Sequence, residues 1–146
     1  MIDALEKAGA RIVYHEIDPA YAYGGGDPAG TFVAAMNANP DVKVVVTDDA
    51  GLTWSLGYLA RAASLKPGQV YLAGIDLTPK TVQAIKDGYV NLVFDEQPYL
   101  QGYLPILNIC LAKKYGFSGL NFNTGGAFVD SSNVDAIAPL VEKSIR

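Results

Sequence analysis

Three short apolar runs, with helical patterns between them, constrain the fold more than any other feature of this chain. The runs are Val42–Val46, Val70–Gly74 and Val90–Phe94, and the helical patterns cover Gly51–Ser64 and Pro79–Lys86. A continuous β-branched run is typical of a parallel strand that is buried on both faces. Strands that alternate with helices through short links form right-handed βαβ units. We therefore predict an α/β fold with a doubly wound parallel sheet of the Rossmann or flavodoxin-like type.

The rest of the chain fits the same architecture. No repeat or linker divides it, so residues 1–146 are predicted to form a single domain. Asp18–Asp27 is predicted to be a loop, Thr78 is expected to cap the helix that follows it, and Gly88 to end that helix. Further helices are predicted over Ile2–Ala8, Pro28–Asn37, Pro98–Tyr115 and Asn133–Ser144, and further strands over Arg11–Ile17 and Ala127–Val129.

The beginning of the chain is unusual for this fold. No strand precedes the helix Ile2–Ala8, whereas a doubly wound sheet begins with a strand that lies inside the sheet. A missing inner strand leaves unpaired backbone groups on its neighbours. We therefore expect the chain to be a piece of a longer protein or to be completed by another chain. Its exposed edges are expected to favour a homo-oligomer.

Composition argues against several classes of function. The formal net charge is −4, and the sequence has no Lys/Arg cluster that would neutralise nucleic-acid phosphates. The longest apolar runs are far too short to span a bilayer. His15 is the single histidine, so neither a metal site nor a Ser-His-Asp triad is expected. Gly24-Gly25-Gly26, in the predicted loop Asp18–Asp27, lacks the Gly-Lys-Ser/Thr ending of a phosphate loop. No cofactor is expected.

The longest predicted helix, Pro98–Tyr115, is apolar along much of its length. Tyr99 and Tyr103 lie four residues apart on one face of it, and core packing is the default expectation for them. Cys110, the only cysteine, lies in the same helix and is expected to be an inert buried thiol.

Carboxylates follow two successive predicted strands. Asp76 comes after the strand Val70–Gly74, and Asp95 and Glu96 come directly after Val90–Phe94. In an open parallel sheet, ligands bind outside the carboxyl ends of the strands. These acidic residues are therefore expected to lie where a small polar ligand would bind.

The stretch Val70–Leu104 resembles the type I periplasmic sugar-binding proteins that serve ABC transporters. Its most specific parts are GIDLTPKTVQAIKDGYV and EQPYLQGYLPI, followed later by NTGGAFVDSSNVD. The resemblance covers nearly the whole chain, as the C-terminal lobe of a two-lobed protein whose N-terminal lobe is missing here. It implies a sugar held between two lobes, a closed form that a permease recognises, no catalysis, and a periplasmic or extracellular location.

The same resemblance implies sugar contacts at three strand ends. The matching positions are Asp48 and Asp49 in VVVTDDAG, Asp76 in AGID and Glu96 in DEQP. The family usually has a glutamine at the last position, so Glu96 is a departure from the pattern. Glutamine can donate and accept hydrogen bonds, whereas an ionised glutamate only accepts them. Either the sugar offers an extra donor there, or Gln97 makes the contact, or Glu96 pairs with a cation from the missing lobe. A solvated loop charge is an equal alternative for Glu96.

Each of the other candidates also has a purely structural interpretation. One of Asp48 and Asp49 is expected to cap the following helix, while the other faces the cleft. Asp76 could cap a helix too, but Thr78 is better placed for that role. Trp54 either stacks on a sugar or, as is commoner for a lone tryptophan, anchors a core or an interface.

Two functions from other classes compete with sugar transport. A ligand-sensing lobe of a lactose-repressor-type transcription regulator shares the fold, although the QPYLQGYLP segment fits the transport proteins better. A flavodoxin-like enzyme or response domain would need a phosphate loop or an acidic pocket with a nearby lysine. Lys66 and Lys80 are the nearest by sequence, and both lie on helix boundaries, so this third interpretation is poor.

Overall fold

One sheet organises the molecule. In the computed structural model, which describes residues 2–23 and 25–146, its order is β1-β2-β3-β4. The strands are β1 (Val44–Val46), β2 (Tyr71–Ile75), β3 (Leu92–Asp95) and β4 (Ala127–Val129). β1, β2 and β3 pair in parallel, whereas β4 pairs antiparallel with β3. The predicted α/β class is confirmed, with an antiparallel edge strand of a kind common on mainly parallel sheets.

The helices follow the predicted order, and local signals account for where several of them begin and end. Thr78 caps α4 by accepting a hydrogen bond from the Thr81 N–H, and Gly88 and Gly116 follow α4 and α5 with positive φ, as expected of residues that end a helix. Gly24, within the predicted loop, lies outside the described residues. The helices are α1 (Ile2–Lys7), α2 (Ala29–Ala38), α3 (Ala50–Ala62), α4 (Pro79–Lys86), α5 (Pro98–Tyr115) and α6 (Val134–Glu142), and a 3-10 turn covers Pro19–Tyr23.

The prediction of a strand over Arg11–Ile17 is wrong. This segment is irregular, and β1 is an outer strand of the sheet. A strand forms only where a neighbour pairs with its N–H and C=O groups, and the part of the chain that the structure describes offers this segment no such neighbour. An exposed ion pair between Arg11 and Asp41, at 2.8 Å, holds one end of the segment and contributes little to stability.

The hydrophobic core lies on one face of the sheet. Register places Val93 beside Val129, and Val45 beside Leu72, on this face. Helices α3, α4 and α6 cover it with their apolar sides. The core cluster consists of Leu56, Ala60, Val70, Leu72, Val82, Ala84, Ile85, Val90, Val93, Val129, Val134, Ile137, Ala138 and Val141.

The opposite face of the sheet is uncovered in the described part of the chain. Val44, Val46 and Phe128 are 53%, 41% and 57% exposed, and Tyr71 on the same face is 44% exposed. The predicted burial of the first apolar run on both faces is therefore wrong. A parallel strand is buried twice only if helices cover both faces of the sheet, and here they cover one.

Helix α5 has no buried residue. Tyr99 and Tyr103 stack on each other with ring centroids 5.9 Å apart, yet each is about half exposed, and the Cys110 thiol is exposed as well. The prediction that these three side chains lie in the core is wrong, because the helix does not pack on the sheet. Among the residues described, no helix combines the length and apolarity needed to cross a membrane.

Candidate functional site

Four carboxyl groups converge at the carboxyl ends of β1, β2 and β3. Asp76 is half-buried just beyond β2, and burial raises the pKa of its carboxyl. The nearby charges of Glu96, Asp95 and Asp49 raise the same pKa further. These four groups thus form one negatively charged region, as the sequence predicted for Asp76 and Glu96.

Asp76 lies in a backbone conformation that side-chain-bearing residues rarely adopt. Its φ is +65°, in the left-handed region that aspartate tolerates better than most residues. The Asp76 N–H donates to the Phe94 carbonyl at 2.9 Å, which joins the ends of β2 and β3. Its carboxylate accepts no hydrogen bond from the described residues, and Thr78 supplies the cap of α4. Asp76 is therefore free of the capping role that was the alternative interpretation.

The Asp95 side chain stabilises the turn after β3. This carboxylate is fully buried, and its Oδ1 accepts a hydrogen bond from the Gln97 N–H at 3.0 Å. Its Oδ2 accepts one from Arg146 Nε at 2.5 Å, so both oxygens are occupied. Gln97 has a φ of +56°, and the Gln101 side chain donates to the Glu96 carbonyl at 2.9 Å. The half-buried side chains of Glu96 and Gln97 are therefore presented by an ordered turn.

Sequence reasoning missed Arg146. The residue lies 51 positions from Asp95, and no spacing or motif signals the pair. The one available hint was the charge of Asp95 itself, because a carboxylate at a strand end that is buried needs a cation or several donors.

The two aspartates after β1 have different environments. Asp49 is the N-cap of α3, and its carboxylate accepts a hydrogen bond from the Leu52 N–H at 3.0 Å. Asp48 is exposed beside it. The prediction that one of the two caps the helix is therefore met by Asp49, which also lies close enough to Asp76 to affect its pKa. A ligand contact by Asp48 stays a prediction.

Trp54 lies apart from the carboxylates. It lines a shallow groove between α3 and α4 together with Arg61, Lys80 and Asp87, and none of the strand-end acids lines this groove. The two helices approach closely there, since a Cβ on Gly57 would lie 2.7 Å from that of Ala84. The groove favours a packing role for Trp54 between helices, and sugar stacking stays a prediction.

A buried hydroxyl network connects β1, α3 and β2 beneath the site. Thr53 Oγ1 donates to the Asp49 carbonyl at 2.8 Å and accepts from the Ile75 N–H at 3.1 Å. Its third partner is the Thr47 hydroxyl, at 2.8 Å. Gly74 leaves room for this network, because a Cβ there would collide with both threonine side chains. Thr53 therefore fixes the backbone next to both Asp49 and Asp76.

The cluster of acids lacks the arrangement of a metal centre. Among the described residues, no group of three or more His, Cys, Asp or Glu side chains is placed to hold a metal ion. Carboxylates with free acceptor positions and little surrounding positive charge suit a ligand that donates several hydrogen bonds.

Comparison with known proteins points to a class of binding proteins. A curated relative, a xylose/arabinose-binding protein of Sulfolobus acidocaldarius, is 38% identical over 117 residues, which cover 74% of this chain and 28% of the relative. A carbohydrate transporter of Acidothermus cellulolyticus, solved with myo-inositol, is 26% identical with a TM-score of 0.68, over 81% of this chain and 41% of that one. No family model matches the chain.

Two further solved structures share the fold at lower identity. A solute-binding protein of Agrobacterium radiobacter, solved with D-arabinose, matches 99% of this chain and 48% of its own, at 22% identity and a TM-score of 0.75. A LacI-type transcriptional regulator of Bacteroides fragilis matches 75% of this chain and 38% of its own, at 21% identity and a TM-score of 0.64. At these identities the likeness is one of fold alone.

These matches confirm the family that the sequence resembles. The chain is a relative of the type I sugar-binding proteins of ABC transporters. It spans less than a third of the curated relative and less than half of each solved structure compared with it.

Proposed function

We propose that this chain is the C-terminal lobe of a two-lobed ABC-transporter protein that binds a sugar or a sugar-like polyol. The observation on which this proposal depends most is Asp76, a half-buried carboxylate without a hydrogen-bond donor among the described residues, at the end of a central strand. Three further acidic groups lie close to it. The relative named for xylose and arabinose, and the carbohydrate transporter solved with myo-inositol, support a small polyhydroxylated ligand.

The chemistry of the strand ends fits such a ligand. Each sugar hydroxyl donates one hydrogen bond, and a carboxylate accepts several from different directions. Hydrogen bonds to ionised acceptors are about twice as strong as neutral ones. In this proposal Asp76 and Glu96 accept from hydroxyls, Gln97 both donates and accepts, and Asp48 contacts the ligand from the β1 side.

Binding between two lobes completes the mechanism. A second lobe closing over the carboxylates excludes water and strengthens each hydrogen bond, and the ligand shifts the equilibrium towards the closed form. The partners in this proposal are the N-terminal lobe and a permease that recognises the closed form. The location is periplasmic or extracellular, and no catalytic step is involved.

The lactose-repressor-type alternative has less support. The LacI-type structure matches at the level of fold, whereas the curated relative, at higher identity, is a binding protein named for xylose and arabinose. A helix-turn-helix segment encoded upstream would favour the regulator, and a signal peptide would favour transport.

Sugar titration tests the proposal. D-xylose, L-arabinose, D-arabinose and myo-inositol are titrated by calorimetry into the full-length protein that carries this lobe. We expect one of them to bind. Asp76→Asn should lower the affinity for that compound by more than about tenfold, because a hydrogen bond to a charged group contributes about 1.5–3 kcal/mol.

Glu96→Gln restores the family's usual residue and should change the ranking of the four sugars. The exposed Asp3 of α1 provides a matched control, and Asp3→Asn should leave every affinity unchanged. Absence of binding by all four compounds would count against the proposal.

A further inference from the structure

The final turn of α6 directs Arg146 to the end of β3. The Ser144 N–H donates to the Val141 carbonyl and the Ile145 N–H to the Leu140 carbonyl, both at 3.0 Å. Ser144 has a φ of +53°. This pair of bonds is the Schellman arrangement that reverses the chain after a helix. The reversal is what lets the last side chain of this sequence reach the buried Asp95.

Asp95 connects Arg146 to the turn that presents the candidate ligand residues. Its side chain is 1% exposed, and that of Arg146 is 23% exposed, so the pair is shielded from water. One carboxylate oxygen binds Arg146 Nε and the other binds the Gln97 N–H. A carboxylate held by a guanidinium on one side is fixed in its orientation on the other.

We propose that Arg146 is a positioning residue for the strand-end site and acts through Asp95 on the left-handed turn at Gln97. Without the guanidinium, a buried charge is left unpaired. The Asp95 carboxylate then rotates or recruits water, and the Gln97 N–H loses its fixed acceptor. The turn samples other conformations, and Glu96 and Gln97 no longer meet the ligand in one geometry. This inference rests on the proposed function for its ligand, but not for its effect on the turn.

Hydrogen exchange of the Gln97 amide tests the effect on the turn without any ligand. In Arg146→Met we expect this amide to exchange at least about tenfold faster, while the amide of Thr47, which donates to the Ala73 carbonyl between β1 and β2, keeps its protection. Arg146→Lys, which keeps the charge, should restore most of the protection. Lys143→Met removes an exposed charge nearby and is the control. Unchanged exchange at Gln97 in Arg146→Met would overturn the proposal.

Affinity tests the effect on the site. Among variants that stay folded, Arg146→Met should weaken binding of whichever of the four titrated compounds binds best by about tenfold, with Arg146→Lys intermediate. Faster Gln97 exchange with unchanged affinity reduces Arg146 to a structural contact and overturns the positioning role. Absence of binding in the unmodified protein refutes the proposed function instead, and the exchange result then decides the inference alone.

A double variant covers the case in which Arg146→Met does not fold. Asp95→Asn combined with Arg146→Met removes the unpaired charge but keeps an oxygen that can accept from Gln97. We expect the Gln97 amide to exchange faster in the double variant than in Asp95→Asn alone. Equal rates in these two variants would contradict the proposal.

Discussion

Asp76 is a residue whose charge the folded chain disfavours. Burial is the main cause of its raised pKa, and the charges of Glu96, Asp95 and Asp49 add to the effect. Groups with shifted pKa values cluster at functional sites. In the proposed function, the same charge that costs stability in the free state accepts hydrogen bonds from a ligand. The left-handed backbone at this position also favours aspartate or asparagine over other side chains.

The pH dependence of stability should reveal this charge. The ordinary pKa is 3.8 and the folded-state pKa is higher, so the folded chain holds its proton to higher pH than the unfolded chain does. Stability therefore falls as the pH rises from about 3.8 through the folded-state pKa. We expect Asp76→Asn to gain stability relative to the unmodified chain across this window, as measured by urea unfolding at a series of pH values.

Asp130 provides a control of opposite sign. Hydrogen bonds from the Ser132 side chain and backbone lower its pKa, so its contribution to stability is present above the ordinary pKa and is lost as the pH falls. Asp130→Asn should therefore become less stable than the unmodified chain as the pH rises. A flat difference for Asp76→Asn over the whole series would contradict the assignment.

At the scale of elements, Thr53 joins β1, α3 and β2. Its hydroxyl satisfies the Asp49 carbonyl and the Ile75 N–H at once. Thr53→Val keeps the shape but removes the acceptor of the buried Ile75 N–H. It also leaves the Thr47 hydroxyl with only its longer contact to the Ala73 carbonyl, at 3.4 Å. The Asp49 carbonyl keeps the Thr53 N–H. We expect a loss of about 1–3 kcal/mol in the free energy of unfolding, measured with urea.

Thr31 on α2 supplies the matched control for this change. It is half-buried and makes no hydrogen bond through its hydroxyl to another described residue. Thr31→Val should stay within about 0.5 kcal/mol of the unmodified chain. Similar losses in the two variants would mean that the hydroxyl network contributes nothing beyond burial.

Some elements are determined by residues close to them in sequence, and others depend on a distant partner. α4 and α5 have the predicted bounds, because Thr78, Gly88, Gly116 and a proline in the first turn act within a few residues. The segment Arg11–Ile17 has strand composition but no neighbouring strand among the described residues. Strand formation depends on a partner that is distant in sequence, and composition alone does not provide one.

At the scale of the whole molecule, two apolar surfaces are exposed among the residues that the structure describes. One is the uncovered face of the sheet, with Val44, Val46 and Phe128, and the other is α5, on which Ile106 and Ile109 are 63% and 62% exposed. Large exposed apolar patches mark interaction surfaces, and an open outer strand such as β1 can pair with another chain.

We expect this chain on its own to self-associate through these surfaces. Light scattering should give an average mass that rises with protein concentration. Val46→Lys places a charge on the uncovered face of the edge strand and should lower the mass at a given concentration. Ala34→Lys, on the exposed side of α2, should leave it unchanged. A constant monomer mass at high concentration would contradict the expectation.

Local pattern and chain order were enough to predict the α/β class, the order of the elements and the acids at the strand ends. These features depend on near neighbours, such as the caps around α4, or on the rule that parallel strands end at one edge of the sheet. The structure added what depends on distant partners. These are the reversal of β4, the irregular course of Arg11–Ile17 and the pairing of Asp95 with Arg146. Each results from contacts between segments far apart in sequence, and the local sequence pattern does not determine which of those segments come into contact.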